Sequence, residues 1–342
     1  MSRKIGAVFV SLLTLTFAAA ILLRVLTGGI AAAPAQEHKL TVVAATYPIY
    51  LFTCALTEDV DNITVERLDT GSVSCLHDYT LSMRDMQKIE SADLIAVNGA
   101  GLEEFLEHAL ETSDAQIVDC SQGIALLESL SHDHDGHDGH DHGHWDPHYW
   151  MDPERAAQMV QNLQAGLAQL DPDHAQQYME NSASIAALLA SRQSLAEELI
   201  QLYHPISGLI TFHDGFQYFA DAFGLPLLAS IEEEAGSEAS AHEIVEITEL
   251  VKEHGIPAIF TEVNGSDATA RAIARETGCR VAQLNMLMDG PEGDLEAYYT
   301  GITGNLAAIL NGFADEEVVS FDAEDQTWKA DLRVRWCLLP EA

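Results

Sequence analysis

From Asp152 to Tyr203 the chain carries no strand pattern, while on both sides of that stretch short apolar runs alternate with helical segments. Few architectures accommodate this. Before the gap, strands are expected at Leu40–Ala45, Ile63–Glu66, Leu94–Asn98 and Gln116–Asp119, with helices around Ile49–Leu56, Leu81–Glu90 and Leu102–Leu110. After it, strands are expected at Gly208–Phe212, Pro226–Ser230, Ala258–Glu262 and Arg280–Leu284. Helices follow near Gly215–Phe223, Ala241–His254, Ala268–Thr277 and Leu295–Leu310. Alternation of this kind builds βαβ units and a mostly parallel sheet. The gap itself is rich in Ala, Leu, Gln and Glu, which are good helix formers. Pro153 and Pro172 each follow an Asp, the pattern of an N-cap with Pro at the first helical position. The expected fold class is therefore α/β, with two α/β lobes of mostly parallel sheets joined by a long connecting helix. Two such lobes hold a ligand between them, at the strand ends.

The N-terminus sets the compartment. Arg3 and Lys4 precede an apolar run from Ile5 to Leu23, and Ala33-Pro34-Ala35 follows. That is the layout of a secretory signal cut after Ala35, with an uncleaved anchor as the alternative. No Cys lies near the exit to carry a lipid. The expected division is residues 1–35 as signal or anchor, 36–151 as the first lobe, 152–204 as the helical connector, 205–320 as the second lobe and 321–342 as a tail without a function. Export permits disulfides, but Cys54, Cys75, Cys120, Cys279 and Cys337 fit no known framework and include no CxxC thiolate site. With 16 Lys+Arg against 54 Asp+Glu the net charge is -38, which excludes nucleic acid as a partner.

Two features point to a metal. Residues 132–144 comprise six His, four Asp and three Gly, a composition that packs into neither helix nor strand and suits zinc, copper or nickel. Three further histidines stand alone where strands pass into helices: His77 in Cys75-Leu76-His77-Asp78-Tyr79, His148 in Asp146-Pro147-His148-Tyr149-Trp150-Met151-Asp152-Pro153, and His213 in Phe212-His213-Asp214-Gly215.

With these motifs, and with Thr46-Tyr47-Pro48-Ile49-Tyr50, Ile89-Glu90-Ser91-Ala92-Asp93-Leu94-Ile95, Phe216-Gln217-Tyr218-Phe219, Ile259-Phe260-Thr261-Glu262 and Ala272-Ile273-Ala274-Arg275-Glu276-Thr277-Gly278, the chain resembles the solute-binding proteins of zinc and manganese ABC importers over about Leu40 to Leu310. The resemblance implies that His77, His148 and His213 bind a metal and that 132–144 is the accessory loop of the zinc-type members. Manganese-type members tend to carry a carboxylate in place of His213, so the expected ligand is Zn2+. The expected partner is a membrane permease, with the ATPase reached through it. A monomer in the periplasm or on the outer face of the membrane is expected. Where many relatives have an Asp after the last strand, this chain has Asn285, which leaves water, Glu262 or Asn285 as the fourth ligand. Asp78, Asp146 and Asp214 are candidates to orient the rings.

The alternatives are a manganese or iron carrier of the same fold, an extracellular zinc buffer and a zinc-dependent hydrolase. The last lacks support: His242-Glu243 is not followed by a second His at zinc-protease spacing, and neither a G-x-S-x-G elbow nor a phosphate loop occurs. The chain is read as having no catalytic residues.

Overall fold

The computed structural model describes residues 39–70, 76, 79–130, 144–203, 206–231, 240–290, 293–314, 317–322 and 327–330. The signal or anchor segment, His77, Asp78 and residues 132–143 of the His-rich stretch lie outside the described residues.

The first lobe runs β1 (Leu40–Ala44), α1 (Tyr47–Leu56), β2 (Ile63–Arg67), α2 (Met83–Ser91), β3 (Leu94–Val97), a 3-10 turn (Glu104–Leu106), α3 (Glu107–Glu111) and β4 (Gln116–Asp119). The strands lie in the order β2-β1-β3-β4, all parallel. β3 is apolar and buried at every position, as expected of a strand covered on both faces. The connector follows as α4 (Pro153–Leu170), a 3-10 turn (Pro172–His174) and α5 (Ala175–Tyr203), the last about 44 Å long at 1.5 Å per residue. The two prolines behave differently. Asp152 caps α4, accepting from the Glu154 backbone N–H at 2.7 Å. Asp171 makes no cap; its carboxylate accepts from Tyr178 Oη (2.9 Å) and pairs with His174 Nδ1 (2.7 Å), which tightens the entry into a 3-10 turn.

The second lobe repeats the plan with β5 (Leu209–Thr211), a 3-10 turn (Asp214–Phe216), α6 (Gln217–Ala222), β6 (Leu227–Ser230), α7 (Ala241–His254), β7 (Ala258–Glu262), α8 (Ala268–Thr277), β8 (Arg280–Leu284) and α9 (Glu296–Phe313). The order is β6-β5-β7-β8, again parallel. A hairpin of β9 (Val319–Asp322) and β10 (Thr327–Ala330) closes the described chain, so the expected tail boundary at 320 falls inside a strand. The Asn311 amide on α9 holds that hairpin, bonding the backbone of Val318 and Val319.

In each sheet the chain turns back between the first and third strands of the lobe, β1 and β3 in one and β5 and β7 in the other. Ligands of open α/β sheets sit at the carboxyl ends of such a pair. One apolar core joins the inner faces of both sheets through α4 and α5, with Leu209, Ala258 and Phe260 on it. A second core, with Ile210, Phe212 and Ile259, lies under α7 and α8. Strand alternation thus assigns every second residue of β5 and β7 to the inner face. Among the described residues no helix is long and apolar enough to cross a membrane.

Candidate metal centre

His213 continues β5 past Thr211 with extended backbone (φ -151°, ψ 144°). It shares the parity of Leu209 and Thr211 and so faces the inner core. Gly215 leaves room behind it: a Cβ there would lie 2.0 Å from Met286 Cε and 3.0 Å from His213 Cδ2. His148 arrives from the other direction, at the turn into the connector, and is 8% exposed. Its backbone N–H and its ring Nδ1–H both donate to Asp146 Oδ1, at 2.9 and 2.8 Å. A carboxylate only accepts, so Nδ1 carries the proton and Nε2 keeps its lone pair for a ligand. The two imidazoles lie 5.3 Å apart at 78°. His148, His213 and Asp214 each offer a ligand atom within 4.8 Å of the others. Of the expected ligands, the structure therefore brings His148 and His213 together; His77 lies outside the described residues.

Of the three aspartates expected to orient rings, Asp146 holds the His148 imidazole, and Asp78 lies outside the described residues. Asp214 lies 3.8 Å from His213 Nε2. Burial by itself would lower the pKa of His148. The hydrogen bond and charge of Asp146, with Asp214 and Glu262, outweigh it and hold the imidazole above its ordinary value. Burial pushes the Glu262 carboxyl up to about 7, against the pull of His148. Asp146 Oδ2 and Glu262 Oε1 are buried without hydrogen-bond partners. Two histidines ringed by carboxylates with unsatisfied oxygens form a donor set that fits a divalent cation.

Sequence spacing did not reveal what holds these loops. Ser129 N–H donates to His144 O and Asp146 N–H to Leu127 O, so residues 127–129 and 144–146 pair where the His-rich stretch leaves and returns. Tyr218, one turn after His213, clasps this pair: its hydroxyl donates to Asp146 O (2.7 Å) and accepts from Leu127 N–H (2.8 Å). Arg155 lies over the Tyr218 ring, 4.9 Å from its centroid, and pairs with Asp152 (2.5 Å) and Asp221 (3.0 Å). In the first lobe, Asn98 Nδ2 donates to Pro147 O (3.0 Å) and Tyr149 Oη to Asn98 O (2.6 Å). Tyr218→Phe should cost about 1–3 kcal/mol in urea unfolding, because it leaves a backbone donor and an acceptor unpaired. A change under about 0.5 kcal/mol would show that water serves both groups.

Residues 42–312 match the family model described as zinc-uptake complex component A, periplasmic. The chain belongs to this zinc-uptake family. It is 32% identical over 300 residues to the zinc-binding lipoprotein AdcA of Streptococcus pneumoniae serotype 4 (strain TIGR4), covering 84% of this chain and 58% of that protein. It therefore spans little more than half the length of that relative. It is 30% identical over 268 residues to the high-affinity zinc uptake system protein ZnuA of Bacillus subtilis, covering 75% of this chain and 81% of the relative. Among solved structures it is similar to a mutant of the laminin-binding adhesin Lmb of Streptococcus agalactiae. That likeness has a TM-score of 0.67 at 26% identity and covers 80% of this chain and all of that one. The matched stretch of the zinc-uptake family runs from within β1 to the last turn of α9 and takes in the connector and every residue of the centre named above.

Proposed function

We propose that the chain binds Zn2+ outside the cell membrane, between its lobes, and delivers it to the permease of an ABC importer without covalent chemistry of its own. The observation that carries this is the convergence of His148 and His213 at the end of β5, with Asp146 fixing the free nitrogen of His148. His77 is proposed as the third nitrogen ligand, and residues 132–144 as a set of weaker collecting sites. Imidazole nitrogens favour zinc over manganese, which prefers oxygen. The likeness to AdcA, a zinc-binding lipoprotein, and to the zinc-uptake protein ZnuA of Bacillus subtilis supports the same ion.

Calorimetric titration of the chelator-stripped protein tests this beside a His148→Ala/His213→Ala variant. One tight site should vanish in the variant, by at least about a hundredfold in affinity, while weak sites persist. Survival of the tight site would move zinc to the His-rich stretch and replace delivery with buffering. Protons compete for the same nitrogens, and His148 holds its proton to a higher pH than a free imidazole. Affinity should therefore decline steadily from about pH 7.5 to about 5.5. A flat profile would remove the histidine assignment. Stronger binding of Mn2+ than of Zn2+ would favour the manganese reading.

A further inference from the structure

The two imidazoles of the centre arrive on separate stretches of chain. His148 stands at the entry to the connector, and His213 follows β5 in the second lobe. A bound ion would hold the two rings together, but without one their spacing depends on whatever joins the two stretches.

Tyr218 joins them. It is the second residue of α6, just past the 3-10 turn that follows His213, and it is fully buried. Its hydroxyl donates to Asp146 O (2.7 Å) and accepts from Leu127 N–H (2.8 Å). It thereby grips the residue whose carboxylate orients the His148 ring. Its own ring meets that of Tyr149, the residue after His148, with centroids 6.5 Å apart at 80°. Tyr218 thus touches the chain on both sides of His148 while belonging to the segment that carries His213. Gln217 adds a bond in the same direction, its Nε2–H donating to Glu128 O (3.2 Å).

Arg155 steadies the tyrosine. Its guanidinium lies over the ring, 4.9 Å from the centroid. Its Nη1 bonds both Asp152, at the cap of α4 (2.5 Å), and Asp221, on α6 (3.0 Å), and its Nε donates to Ala125 O (3.0 Å). The Arg155 side chain is mostly buried, so these charge-assisted bonds are sheltered from water.

We infer, on the footing of the cleft proposed above, that Tyr218, held by Arg155, is a positioning residue for the metal: it presets the spacing between His148 and His213 and so raises the affinity of the centre. Neither side chain need touch the ion. A site ordered before the ion arrives loses less conformational freedom on binding, and outer groups that orient ligands are worth about ten- to a hundredfold in metal affinity.

The test uses the full chain, stripped of metal, with Zn2+ affinity read by competition with chromophoric chelators. Tyr218→Phe keeps the ring against Tyr149 and removes both hydroxyl bonds. It should lower affinity at the tight site about tenfold. Arg155→Met should act in the same direction by a smaller factor. In a His148→Ala background there is no spacing left to set, so Tyr218→Phe should there change the residual affinity by less than about twofold. Ile273→Val controls for lost stability alone: it opens a cavity in the outer core under α7 and α8, away from both stretches, and should bind Zn2+ like wild type. Wild-type affinity in Tyr218→Phe would overturn the inference, whatever that variant lost in urea. So would the same tenfold loss in the His148→Ala background, or an equal loss in Ile273→Val, which would trace the effect to general loosening of the fold. Tight binding retained by His148→Ala/His213→Ala would bring down the cleft reading itself, and Tyr218 with it. Loss there combined with wild-type affinity of Tyr218→Phe would leave the cleft standing and remove only Tyr218.

Discussion

Trp150→Ala should destabilise the metal-free protein by about 3–5 kcal/mol, the range for deleting a large buried aromatic side chain. The indole is fully buried in the core shared by both lobes. It lies in the short turn Tyr149–Met151 between His148 and α4, at the entry to the connector. Its bonds reach into the second lobe: Nε1–H donates to Met286 O (3.0 Å), and Tyr298 Oη donates to its carbonyl (2.7 Å). Its ring also meets the His148 imidazole at 5.2 Å and 65°. Alanine would open a cavity in that shared core and strand the Met286 carbonyl. Trp150→Phe keeps most of the volume and loses only the N–H, so it should cost clearly less, about 1–2 kcal/mol. Urea unfolding at matched slope measures both. Equal losses would mean that the hydrogen bond, rather than packing, ties the connector to the second lobe. A loss under about 1 kcal/mol for alanine would mean that the lobes stand without this link.

How much of this was legible in the sequence depended on range. β7, β8, α7 and α8 begin and end where the apolar pattern places them, and in the structure Gly255 and Gly278 end the two helices in the left-handed conformation. The first helix starts at Tyr47, two residues before the expected Ile49, because Pro48 is accepted in its first turn. The expected helix Leu102–Leu110 splits into a 3-10 turn and a five-residue helix. There Gly99, Ala100 and Gly101 take positive φ, and Glu103 turns back on the strand end. His148 and His213 were visible as isolated histidines at strand ends. Glu262, the acid closing the apolar strand β7, was visible as one candidate for the fourth position beside water and Asn285. Tyr218, Asn98 and Trp150 were not visible as site residues, because each acts through hydrogen bonds to residues 49 to 148 positions away, and no local periodicity encodes such partners. The hairpin after Asn311 was missed for a different reason: a single amide on α9 holds it, seven and eight residues away, and one such contact leaves no periodic pattern.

Glu103 should make the stability of the fold depend on pH. Its carboxylate is buried and staples the end of β3, Oε1 accepting from Asn98 N–H (2.6 Å) and Oε2 from Gly99 N–H (3.0 Å). Asn98 in turn grips Pro147, beside His148. Burial pushes the Glu103 carboxyl up to about 8, and the two backbone N–H donors only partly oppose it. In the unfolded chain the same group releases its proton near 4.5. Below that value both states are protonated and the group has no net effect. Between the two values the folded chain keeps a proton that the unfolded chain has lost, so stability falls as pH rises. Across the whole window the loss attributable to this one group approaches about 5 kcal/mol. Glu103→Gln cannot ionise and resembles the neutral acid in shape. Urea unfolding of the metal-free proteins at about pH 5 and about pH 8 should show wild type losing several kcal/mol more than the variant. The other titrating groups are common to both proteins and cancel in the comparison. Parallel decline of the two would place the Glu103 pKa in the ordinary carboxylate range and make its two N–H bonds strong enough to offset burial. A steeper decline of wild type would mean that the strap beneath His148 loosens as the medium turns alkaline, opposite to the direction in which protons release zinc from the imidazoles.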